Sequence, residues 1–308
     1  MSVDVRTGPG ALPLPSDVDE VDLVPVRTYW QLVRQRFLRH RLAVIAVVIL
    51  AILIIVSIVV PLATGVQYQK SNLTLIDEGP SLQAPLGYDE IGRNIFLRLA
   101  KATQTSLVIG FLSVMLIGAI GAAVGSVSGY FGGWVDNILM RIVDVVLSLP
   151  FLLLVLIIVS FFGIRDIRMI VFAIAFAGWT TAARLVRAEF LHLREMDFVA
   201  AAKALGAPTN RIIVRHMLPG AMAPLVVAMS LGVADAIIGE SALSFLGFGI
   251  APPEVSLGQM LQGYREYFYS NSERILYPAV VLIAIVMCAS FLGDGLRDAL
   301  DPRQRVES

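Results

Sequence analysis

Three acidic residues sit inside long apolar runs: Asp144, Asp235 and Glu240. An ionised carboxylate is costly in hydrocarbon, so such residues mark one of two arrangements. They pass protons or solute along a pathway, or they bond helix to helix beside a water-lined cavity. Residue types alone leave both open. Other chemistry finds little footing. His40, His192 and His216 stand at no metal-ligand spacing and read as interfacial or packing residues. Cys288 lies in an apolar run, has no second cysteine to pair with, and reads as a small buried hydrophobe. The one lysine that precedes a hydroxyl residue, Lys70 before Ser71, follows Gln69 where a phosphate cradle needs glycine. No Gly-x-Ser-x-Gly occurs. The sequence therefore predicts no catalytic residue, cofactor or metal, and a chain that is not itself an enzyme.

The elements that must position these acids are membrane helices. Of 308 residues, 57% are hydrophobic and 16% charged, where a soluble domain carries about a quarter charged residues. Mean hydropathy is +0.77. Lysine plus arginine equals aspartate plus glutamate, 24 each, so net charge points to no nucleic-acid partner. Six runs are long enough to span a bilayer: 42–63, 104–128, 137–162, 169–189, 219–247 and 276–296. As a helix the first would be about 33 Å long, against a hydrocarbon core of about 30 Å. Backbone groups in lipid must bond internally, so runs of this length are helices. The predicted class is all-α, a polytopic membrane protein of about six transmembrane helices.

Residues 1–26 are polar, with an acidic run from Asp17 to Asp22, and do not read as a cleavable signal. Residues 28–41 read as an amphipathic helix whose arginines face lipid headgroups. With both termini placed in the cytoplasm, sixteen basic residues fall inside and eight outside, which is the expected bias. Gly118, Gly121, Gly125 and Gly129 in the second span let another helix approach closely. Pro150 in the third span and Pro224 in the fifth predict kinks. Before the second span, Ile91, Ile95 and Leu99 recur every four residues behind Asp89 and Glu90, predicting an amphipathic helix over 89–99.

The most informative stretch runs from Asp197 to Pro208, between the fourth and fifth spans. Asp197 is an expected helix cap, Ala200, Ala201, Ala202 and Ala204 favour helix, and Gly206 with Pro208 ends it. This predicts a short helix over 198–205 with Phe198 and Leu205 as apolar handholds. Such a helix fits a groove on another protein or lies on the bilayer; the physics leaves both open.

The same stretch resembles the EAA loop of ABC-importer permeases. Ala201, Ala202, Gly206, Leu218 and Pro219 fall at matching positions, while Ala200 replaces the usual Glu and His216 the usual Ile. Further segments resemble the peptide-type permeases of dipeptide, oligopeptide and nickel importers, specifically the shorter of the paired subunits. These are Ala84–Asn94, with Gly87, Asp89, Gly92 and Arg93; Tyr130–Asp136; Leu243–Gly249 followed by Pro252 and Pro253; and Gly293–Pro302. Tyr88 and Asn94 depart from the commonest form of the first.

The resemblance covers about 28–303. It implies a type I ABC-importer permease fold in a prokaryotic plasma membrane. It also implies a second homologous permease subunit, cytoplasmic ATP-binding subunits and an extracytoplasmic solute-binding protein as partners, besides the lipid bilayer. The expected organisation is a cytoplasmic tail over 1–41, a first transmembrane helix over 42–63 and an extracytoplasmic segment over 64–103. A core permease domain over 104–296 and a cytoplasmic tail over 297–308 follow. The loop 197–219 would couple to the ATPase, with Asp197, Phe198, Ala201, Ala202, Leu205, Gly206, Leu218 and Pro219 as its expected residues. The expected cargo is a dipeptide or short oligopeptide, with nickel or another small solute as the alternative. A proton-coupled secondary transporter using Asp144, Asp235 or Glu240, and a scaffold or channel subunit, are the rival classes.

Overall fold

The computed structural model describes residues 29–64, 68–269 and 271–300. The polar tail before them, its acidic run, and the basic residues Arg303 and Arg305 lie outside the described residues. Two helices open the chain. α1 (Tyr29–Arg39) lies against the last helix and meets α2 (Arg41–Thr64) at His40. The imidazole Nδ1 of His40 accepts the Ala43 N–H at 3.1 Å, so this histidine serves a helix start. Most of the Ile, Leu and Val side chains of α2 are exposed, and only Ala43, Ala46 and Ser57 are buried. Small residues at the contact and large ones outward suit a helix whose solvent is hydrocarbon.

α3 (Ile95–Phe131) is the long axis of the bundle; its 37 residues span about 55 Å. It packs most extensively on α6 (Ile167–Arg194). The glycine stripe makes this possible: a Cβ at Gly121, Gly125 or Gly129 would collide with Ala182, Ala183 or Phe190 of α6. Gly118 is pressed against Met229 instead. α3 does not begin where the periodicity predicted. Residues 89–94 form a turn closed by an antiparallel bridge between Tyr88 and Asn94, and Asn94 caps the helix by accepting the Leu97 N–H at 3.2 Å. Gly92 has φ +73°, which ends any helix there, and Asn72 packs where a Cβ would stand. Asp89 is fully buried, and its carboxylate accepts the N–H groups of Ile91 and Arg93 instead of starting a surface helix.

The third predicted span is broken rather than kinked. α4 (Gly133–Leu147) and α5 (Phe151–Phe162) meet at 89° across Ser148, Leu149 and Pro150. Pro150 has no N–H to give and disfavours helical backbone at Leu149, so the chain turns. Pro224 acts differently: it stands in the second turn of α9 (Leu218–Phe245) without interrupting it. α9 is preceded by α7 (Asp197–Ala204), the three-residue α8 (Thr209–Arg211) and a wide π turn over Ile212–Met217. The turn gives way to α9 just before Pro219, which has no N–H for the Arg215 carbonyl. α10 (Leu257–Tyr264) and α11 (Glu273–Leu300) complete the bundle. Among the described residues five helices are long and apolar enough to cross a membrane, and the bent α4–α5 pair makes a sixth span if counted as one. Helix direction puts α7 at one end of the bundle and α10 at the other.

Candidate functional site

At the α7 end, α6 stops at Arg194 and the chain restarts at once as α7. Met196 takes the N-cap backbone position, and no side chain caps the helix. Asp197 is the first helical residue, not the cap; its carboxylate still meets the positive end of the helix dipole. The other end behaves as expected, one residue earlier. Gly206, at φ +76°, donates its N–H to the Lys203 carbonyl (3.0 Å), and Ala207 donates to Ala202 (3.1 Å). This left-handed C-terminal motif satisfies two carbonyls that the helix leaves open.

One residue of α7 anchors it. Val199 is fully buried in a cluster with Phe190 of α6, Ile212 and Met217 of the π turn, and Ala221 of α9. Ala202 packs partly on the same cluster. The opposite face is Phe198, Ala201 and Leu205, at helical spacing, all exposed. Phe198 is 45% exposed and Leu205 89%. The Lys203 ammonium lies over the Tyr130 ring, 5.7 Å from its centre, and so ties α7 to the end of α3. Leu218 and Pro219 are not beside this ridge in sequence or element; they start α9, and the Val199 cluster connects the two. Two ion pairs brace this half of the bundle. Asp136 of α4 takes both Nε and Nη2 of Arg187 on α6 (2.5 and 2.6 Å) and a hydrogen bond from Ser128 of α3. Asp144 pairs with Arg184 at 2.6 Å, both about half exposed.

The three acids singled out in the sequence are not brought together. Among the described residues no hydrogen bond joins one to another. Asp144 belongs to a helix-to-helix ion pair. Glu240 is fully buried toward the α10 end, within a shell of serines. Ser106 of α3 (3.1 Å), Ser241 (3.5 Å) and Ser244 (2.6 Å) donate to its carboxylate. Ser256 donates to Ser244 at 3.3 Å, and the Leu257 N–H reaches Ser106 at 3.1 Å. One carboxylate therefore fastens α3, α9 and the start of α10. Asp235 faces a cavity of about 560 Å³ lined by α3, α5, α6 and α9.

At the same end Asp89 also takes the Arg93 guanidinium at 2.7 Å. Arg274 of α11, itself buried, reaches Asp77 (2.6 Å) and the Tyr88 carbonyl (3.2 Å), holding the segment before α3 against α11. Tyr264 on α10 is buried in this region, and its burial pushes the phenol up to about 12.

Sequence reasoning missed the serine shell, the Asp136–Arg187 pair and the anchoring Val199. The shell had a partial signal, Glu240 with Ser241 and Ser244 at one and four residues on the same helix. The others depend on which helices meet.

The described residues form a polytopic helical bundle with a short helix, bearing an exposed apolar ridge, between two of its spans. Residues 121–306 match the family described as binding-protein-dependent transport system inner membrane component. Residues 28–85 match the N-terminal TM domain of oligopeptide transport permease C. The chain belongs to the binding-protein-dependent transport family as a multi-pass inner membrane permease subunit. It is 34% identical to the dipeptide transport system permease protein DppC of Alkalihalophilus pseudofirmus, over 95% of this chain and 96% of that one. It is 37% identical to the oligopeptide transport system permease protein OppC of Mycobacterium bovis (89% and 94%) and 35% to that of Escherichia coli (91% and 93%). In fold it is similar to a chain of the MetNI methionine ABC transporter in an inward-facing form. That likeness has a TM-score of 0.53 at 24% identity and covers 66% of this chain and 96% of that one.

Proposed function

We propose that this chain forms half of the translocation pathway of an ATP-driven importer of dipeptides or short oligopeptides, and that residues 197–219 receive the ATPase stroke. The observation that carries the proposal is the geometry of α7. Its exposed ridge of Phe198, Ala201 and Leu205 offers apolar contact to another chain, while Val199 joins it to α6 and α9. A short helix with its backbone bonds satisfied transmits a push as a rigid body, and the buried contact passes it to both spans. The names of the relatives support the peptide cargo. The basic residues support a cytoplasmic α7 end and cytoplasmic termini. On this reading a second permease subunit completes the pathway, separate cytoplasmic subunits hydrolyse ATP, and an extracytoplasmic binding protein delivers the peptide. The separation of Asp144, Asp235 and Glu240 supplies no proton relay.

The test is uptake by the reconstituted importer with Leu205→Arg in this chain. The variant inserts normally, because residue 205 is exposed, but loses peptide uptake and co-purification with the ATPase subunits. Undiminished uptake would overturn the assignment of the loop.

A further inference from the structure

We infer that the cavity beside Asp235 is a transit site for the peptide, in which the Asp235 carboxylate receives the α-ammonium group. The inference rests on the peptide reading above and adds the chemistry of one site. Three observations carry it. First, Asp235 is exposed on α9, and unlike Glu240 on the same helix its side chain has no hydrogen-bond or ion-pair partner among the described residues. A bare carboxylate at this depth is costly, so a cation belongs beside it.

Second, the chain does not supply that cation. Arg184, the next cation on the same face of α6 as Thr181, already pairs with Asp144 at 2.6 Å. A metal ion also lacks its ligand set, since no three His, Cys, Asp or Glu residues gather among the described residues.

Third, the space suits an organic cation with side chains. The cavity holds about 560 Å³, within the range of small-molecule sites, roughly 300–1,000 Å³. Its walls are apolar at Val114, Phe151, Ile174 and Met229, and Thr181 adds a hydroxyl. Such walls accept varied peptide side chains, while the one feature common to all peptides with a free N-terminus, the ammonium, meets the one charge.

The experiment uses the complete importer in proteoliposomes, with the dipeptide Ala-Phe as probe and Asp235→Asn and Asp235→Glu in this chain. Loss of the charge-assisted hydrogen bond lowers Ala-Phe uptake by Asp235→Asn about tenfold or more. Asp235→Glu, which keeps the charge, restores uptake. Wild-type uptake by Asp235→Asn would overturn the inference and leave the peptide reading standing. Loss of co-purification with the second permease subunit in Asp235→Asn, restored in Asp235→Glu, would place a partner's cation there and also overturn it. A wild-type importer that hydrolyses ATP but takes up no Ala-Phe would overturn the peptide reading itself, and the inference with it.

Discussion

The two ends of this bundle solve opposite problems. At the α7 end, apolar groups are left exposed: Phe198, Ala201 and Leu205 have no cover, and one buried valine holds the helix. At the α10 end, polar groups are closed in: Glu240 is fully buried with donors from Ser106, Ser241 and Ser244, and Asp89 is fully buried with Arg93. An uncovered apolar ridge is inexpensive to leave open and gains by meeting another chain. A carboxylate buried without donors is not tolerated, so its shell is built within the same chain. The first end leaves an apolar ridge open, as the proposed docking role requires, and the second closes its own polar groups in.

Substitutions can break this comparison, and their expected costs in stability run from large to small. Asp89→Ala removes a buried partner of Arg93 and the acceptor of two backbone N–H groups. The expected loss is about 3 kcal/mol, read as a lower unfolding temperature in detergent. Glu240→Leu leaves three serine hydroxyls to find other acceptors, at about 2 kcal/mol; Glu240→Gln, which keeps an acceptor oxygen, costs less in the same assay. Gly206→Val must hold a branched residue at φ +76°, with an expected cost of about 1–2 kcal/mol. Nothing lies within 4 Å of the added Cβ, so the strain is conformational, and the variant still inserts while uptake falls. Leu205→Ser shifts stability by no more than about 0.5 kcal/mol yet releases the ATPase subunits on co-purification. If Leu205→Ser destabilises the isolated chain as much as Glu240→Leu does, the contrast between the two ends is wrong.

Much of the fold was legible because hydropathy is a local sum. Five spans follow from apolar runs alone, and the short α7 follows from its alanines, Gly206 and Pro208 to within a residue. The errors arose where a local pattern met a competing local geometry. The four-residue spacing of Ile91, Ile95 and Leu99 crosses Gly92, whose left-handed backbone and the inward Asp89 make a turn of what read as helix. Asp197 reads as a cap, but the cap is defined by an extended backbone, and Met196 adopts it. Pro150 signalled a bend without its size; beyond the 89° bend α5 packs onto α6 and α9, helices that the local pattern does not reach.

The candidate site divides the same way. The sequence by itself determined a membrane-spanning chain, a short helix between two spans, and three acids at an energetic cost in the apolar runs. Only the tertiary structure decided what each acid does: Asp144 pairs with Arg184, Glu240 gathers serines, and Asp235 faces a cavity. The physical reason is that burial and helix formation depend on residues near in sequence, whereas the partner of a charge depends on which helices meet. Glu240 and Ser106 stand 134 residues apart along the chain and 3.1 Å apart in the fold.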